Sequence, residues 1–115
     1  MPELLGHERE EFASALEVGA KFAGYVNFVG RGSEAAAEHC GGWSHKGIVE
    51  TLCEYAVEGG KISRTEEQRE GWRDVWKYCY HMWPVFNGKK LYFELRFDNS
   101  SAEDFEVQIV NIHVP

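Results

Sequence analysis

Apolar positions in this chain change their spacing about half-way along. In the first half they recur at helical intervals. Phe12, Ala15 and Leu16 fall on one face of a helix predicted over residues 8–18, opening among Glu8, Glu10 and Glu11, where carboxylates suit a helix N-terminus, and expected to stop at Gly19. Phe22 to Val29 is aromatic and β-branched and is closed by Gly30 and Gly32, which predicts a strand. Ser33 is placed to cap a short helical turn through Ala35, Ala36 and Ala37, ended by Gly41-Gly42. Ser44 caps the next helix, whose Ile48, Leu52, Tyr55 and Ala56 share a face before Gly59-Gly60 terminates it. Ser63 with Glu66, or Thr65 with Gln68, has capping-box spacing and predicts another helical piece in the charged stretch Glu66 to Glu70.

In the second half the period shifts towards two. Trp72 to Trp83 fits both templates: Trp72, Val75, Trp76, Cys79 and Trp83 make a helical stripe, whereas its aromatic composition favours a strand, and Pro84 ends either. Asn87-Gly88 is a tight-turn signal. Leu91, Phe93, Leu95 and Phe97 then alternate with Tyr92, Glu94 and Arg96 in a half-buried strand. A polar run from Asp98 to Asp104 leads to a last strand, Phe105 to Val114, predicting a terminal antiparallel hairpin. The expected architecture is α+β, with two or three helices packed on an antiparallel sheet in one domain spanning residues 1–115.

Composition narrows the function classes. Twelve Lys and Arg against nineteen Asp and Glu give a net charge of −7 and a pI near 5.2. Proteins that grip a phosphate backbone draw affinity from basic residues, so this balance points to a basic partner protein or a small ligand, and restricts nucleic-acid chemistry to a local basic patch. The apolar stretches are too short to cross a bilayer, and Met1 to Glu8 lacks the basic start and apolar run of a signal peptide, so a cytoplasmic protein without membrane contact is expected. Cys40, Cys53 and Cys79 are an odd set without paired spacing, which suits a reducing compartment. Neither Cys40 with His45 nor Cys79 with His81 copies a zinc-ligand spacing, so neither a metal nor a cofactor is expected.

Candidate chemistry lies in Lys61, Arg73, Tyr92 and His113. Cleaving RNA without a metal needs a base for the ribose 2′-hydroxyl, an acid for the leaving 5′-oxygen, and cations for the developing charge on phosphorus. Histidine changes charge near neutral pH and suits the proton transfers; Lys61 and Arg73 suit the phosphate, arginine with two bonds at once. Tyr92 can donate a hydrogen bond or stack on a base, with Arg96 beside it as a substrate contact.

In order and spacing, Gly41, Lys61, Trp72-Arg73-Asp74-Val75, Leu91-Tyr92 and the terminal strand from Val107 to His113 resemble the mRNA-interferase toxins of the motility quorum-sensing regulator family, which have the RelE-like ribonuclease fold. The resemblance covers roughly residues 41–113. It implies a toxin–antitoxin endoribonuclease that cuts single-stranded RNA by metal-free acid–base catalysis and is held inactive by a cognate antitoxin protein. It matches the family's functional lysine to Lys61 and its functional tyrosine to Tyr92. A family glutamine corresponds to Arg73 and the C-terminal lysine to His113, and the segment between Trp72 and Tyr92 is longer than in the family. The acidic balance supports a different reading: a small binding module, such as a phage-encoded inhibitor or an immunity protein, that covers a basic nucleic-acid-binding surface with Glu8, Glu10, Glu11, Glu66, Glu67 and Glu70.

Overall fold

In the computed structural model, which describes residues 2–99 and 105–115, Phe12, Ala15 and Leu16 are buried along helix α1, Gly6–Lys21. Gly19 does not stop this helix. Its missing Cβ serves packing instead, because a Cβ there would lie 2.2 Å from Val26 Cγ2. The strand predicted from Phe22 is shorter and later: β1 is Val26–Phe28. Helix α2, Arg31–His39, starts two residues ahead of the expected Ser33 cap, with Gly30 at the N-cap. Gly32 lets α2 approach the last strand, β7, Glu106–His113, closely, for a Cβ there would meet the Ile109 carbonyl oxygen at 2.0 Å.

Helix α3, His45–Val57, begins where its cap predicts: Ser44 Oγ accepts the Gly47 N–H at 3.0 Å. Ile48, Val49, Leu52 and Ala56 form its buried face.

The capping-box spacing after Ser63 is overridden. Ile62–Glu66 is strand β2, paired antiparallel with β3, Tyr78–Met82, in the register Ile62 to Met82 and Glu66 to Tyr78. Pairing and burial outweigh a local helix-start signal here, since Ile62 and Ser63 are both fully buried. The ambiguous Trp72–Trp83 segment splits. Trp72 N-terminal of β3 lies in helical-type turns, with Trp76 N–H on Trp72 O at 2.8 Å, while residues 78–82 are strand. Glu67 N–H bonds Lys77 O at 3.0 Å and closes residues 67–77 into a loop.

Asn87 and Gly88, at φ +53° and +77°, turn between the short strands β4, Val85–Phe86, and β5, Lys89–Lys90, as a two-residue hairpin requires. β6, Tyr92–Asp98, and β7, Glu106–His113, are neighbours in an antiparallel hairpin; of the polar run predicted to join them, residues 100–104 lie outside the described residues.

The main sheet has the order β1-β7-β6-β3-β2 and is antiparallel except at one edge, where β1 runs parallel to β7. The fold is therefore α+β, with three described helices and a mixed sheet that is mostly antiparallel. A single apolar cluster joins the layers: Phe12, Leu16, Ile48 and Leu52 from the helices, and Ile62, Met82, Phe93, Leu95, Ile109 and Ile112 from the sheet. Phe12 stacks on Tyr80 with ring centroids 4.7 Å apart. No helix among the described residues is long and apolar enough to cross a membrane.

Candidate functional site

Strand parity sends one set of side chains from β6 and β7 into that core and the other set to the opposite face. On β7 the parity breaks once. Glu94 pairs with Asn111 but Leu95 pairs with Ile109, so Val110 is the extra residue of a β-bulge. The bulge brings Gln108 and His113, five positions apart, to one face, opposite Arg96 and Tyr92 respectively. Without it, a strictly alternating strand would place them on opposite faces.

At the open end of this face, Tyr92 is flanked by two histidines. His113, its register partner, has its ring 4.6 Å from the Tyr92 ring, and His81 Nδ1 lies 2.5 Å from the Tyr92 hydroxyl. His81 Nε2 lies 3.1 Å from Thr65 Oγ1, so both ring nitrogens are engaged. Burial holds His81 below the ordinary histidine range and raises Tyr92 well above the ordinary phenol range, with Glu94 adding to the rise. The pair thus rests as a neutral imidazole and a protonated phenol. Two proton arrangements satisfy this chain of bonds: the phenol donates to His81, or His81 donates to the phenol oxygen and frees its O–H for a ligand. His113 is exposed, with Nδ1 3.1 Å from the Val114 carbonyl, which it meets as a donor and so leaves Nε2 as the second, unengaged ring nitrogen.

Lys61 approaches from the start of β2. Its Nζ is 5.8 Å from the Trp83 ring, and that ring is 5.8 Å from Tyr92. Lys61, Trp83, Tyr92, His81 and His113 therefore form one chain of neighbours. Burial pushes the thiol of Cys79, on the same strand as His81, up to about 12, which disfavours the thiolate.

The other end of the face is covered by loop 67–77. Arg69 makes a two-pronged bond to Glu67, both contacts 2.8 Å, and a third at 2.8 Å to Glu94. These hydrogen bonds hold Glu67 below the usual carboxylate range. Trp72 lies on the Arg96 guanidinium, with Cζ 3.2 Å from the ring centroid. Arg96, predicted to face outward on its strand, is 5% exposed because the loop lies over it.

Of the residues singled out by the sequence, Tyr92, His113 and Lys61 lie at the open end, and Arg96 lies on the same face beneath the loop. Arg73 joins neither group: it is exposed and held through its backbone N–H to Arg69 O, because Trp72 and Trp76, one turn apart, take the inward side of the loop. The proposed acidic face is also incomplete. Glu67 is buried against Arg69, and Glu8 is paired with Arg64. In the sequence His81 stands out only as a zinc partner of Cys79, because its segment fits helix and strand alike; strand alternation from Tyr80 and Met82 is the signal that places it opposite the core.

No protein-family model, curated protein or solved structure matches the chain. Among the described residues, no three His, Cys, Asp or Glu side chains group to hold a metal ion.

Proposed function

We propose that the chain is an endoribonuclease that cleaves single-stranded RNA by acid–base catalysis at the open end of the polar face. The observation that carries this reading is Tyr92 between His81 and His113, two imidazoles and a phenol within reach of one reacting group. His113 Nε2 takes the proton of a ribose 2′-hydroxyl as the 2′-oxygen attacks phosphorus. The P–O5′ bond breaks and the leaving oxygen takes the Tyr92 proton while the His81 N–H donates a hydrogen bond to the phenolate; the proton held by His113 then passes through water to the phenolate and resets both groups. Lys61 offsets the charge that develops on the phosphoryl oxygens, and Trp83 gives a neighbouring base an aromatic surface. Such an activity acts in the cytoplasm on the cell's own messages, and we assign its restraint to an antitoxin-type protein.

The test is incubation of the purified protein with mixed-sequence single-stranded RNA in chelator, beside His113→Ala, Lys61→Ala and Arg73→Ala. Wild-type cleavage is expected, with His113→Ala slower by roughly 10²- to 10⁴-fold, the usual contribution of a general acid or base, and Arg73→Ala close to wild type. Intact RNA in every arm would sink this reading and leave the acidic binding module, whose support is the net charge of −7.

A further inference from the structure

Beneath loop 67–77 lies a cavity of about 750 Å³ bordered by the start of α2, β6 and β7. That volume falls within the roughly 300–1,000 Å³ of small-molecule sites. Its lining includes Arg31, Arg69 and Arg96, the indoles Trp72 and Trp76, and Asn111. The lining holds three guanidinium groups and one carboxylate, Glu94, and Arg69 binds both Glu94 and the buried Glu67.

Arg96 is left over. Its residue is 5% exposed, and its buried Nε and Nη2 have no hydrogen-bond partner. A buried charge with open donors is costly unless something completes it. These two N–H groups form one edge of the guanidinium, the fork that meets two oxygens of a single phosphate or carboxylate. Arg31 opens α2, a helix of nine residues, so its side-chain charge and the partial positive charge of the helix N-terminus reinforce each other at the same cavity. The indoles supply flat apolar walls that a bare anion does not need.

We propose that this cavity binds a nucleoside phosphate, with the phosphate on the Arg96 fork near Arg31 and the base against Trp72 or Trp76. Trp72 covers Arg96, so it lifts off the guanidinium as the phosphate enters. The site is distinct from the open end: Tyr92 and Arg96 are four residues apart on β6, about 13 Å at ~3.3 Å per residue. It stands whether or not that end cleaves RNA. The nucleotide is either free or one unit of an RNA strand, and the two sources share the same phosphate and base.

Titration of the full chain with adenosine 5′-monophosphate, adenosine, inorganic phosphate and a short single-stranded RNA tests this, with tryptophan fluorescence and calorimetry as readouts. The monophosphate has no phosphodiester to cut, so its binding is independent of the ribonuclease reading. Expected are a saturable fluorescence change with the monophosphate and at least tenfold weaker binding of adenosine and of phosphate alone. Arg96→Lys, which keeps the charge and loses the fork, should weaken binding at least tenfold, and Arg31→Gln several-fold. Binding of the RNA without the monophosphate, weakened equally by Arg96→Lys, identifies a strand as the source; binding of the monophosphate without the RNA identifies a free nucleotide. If Arg96→Lys fails to fold, exposed Arg31→Gln carries the comparison. Equal affinity for adenosine and its monophosphate, wild-type affinity in both arginine variants, or no binding of any probe would overturn the proposal.

Discussion

On the helix-covered face of the sheet, Phe93, Leu95, Ile109 and Ile112 are sealed by Phe12, Leu16, Ile48 and Leu52, and the cluster contains no charged side chain. On the opposite face the same two strands carry Tyr92, Glu94, Arg96, Gln108 and His113, shielded in part by one loop and held by hydrogen bonds, ion pairs and stacked rings. Because neighbours on a strand point to opposite faces, one face can take up the burial that stabilises the fold while the other gathers polar groups. Substitutions on the first face should therefore act on stability, and those on the second on chemistry.

The sharpest way to break that division is Phe12→Ala. Phe12 is fully buried against Tyr80 and Phe97, so truncation should cost about 3–5 kcal/mol in denaturant unfolding. A loss under about 1 kcal/mol would mean the helix layer does not carry the core. On the polar face the largest expected loss is smaller. Glu67→Gln removes the charge from a buried partner of Arg69, which keeps Glu94, and should cost about 1–3 kcal/mol. Limited proteolysis should then cut within residues 67–77 sooner than in the wild type; unchanged cutting would show that the ion pairs do not hold the loop. Tyr92→Phe leaves His81 Nδ1 without its partner and should cost about 1 kcal/mol in the same unfolding measurement.

Acid should separate the two anchoring groups with the smallest effects of all. Burial keeps His81 below its ordinary value, so the unfolded chain takes up the proton first. The His81 contribution is complete above the unfolded value of ~6.5 and is lost as pH falls from there through the folded value. Glu67 is also depressed; its contribution is present above ~4.3 and is lost on falling through its lower folded value. Stability measured against pH should therefore decline in two stages on acidification, and His81→Gln should remove the first. A first stage that survives in this variant would place the titration elsewhere.

Alternation from Leu91 to Phe97, the Asn87-Gly88 turn and the Ser44 cap were legible because each is a local signal acting within a few residues. β2 was not, because its capping-box residues give way to pairing with β3, which lies beyond an eleven-residue loop that no local pattern describes. The doublet Ile109-Val110 is a readable trace of the bulge, since two adjacent apolar residues interrupt the alternation. Tyr92 beside His113 followed from the predicted hairpin once the register was known. The contacts of His81, and that of Arg69 with Glu94, required the third dimension, because Thr65 and Tyr92 lie on other strands than His81 and Glu94 lies on β6.

The reading of the open end is tested most directly by the ends of the cleaved strand. A single-stranded RNA and its all-deoxy counterpart of the same sequence are incubated with the protein in chelator, and the products are resolved by mass spectrometry. Attack by the 2′-oxygen with proton transfer through His113 and Tyr92 predicts RNA fragments ending in a 2′,3′-cyclic phosphate and a 5′-hydroxyl, and an intact deoxy strand. A new 3′-hydroxyl with a 5′-phosphate at the cleavage site, cleavage of the deoxy strand, or two intact strands would contradict it.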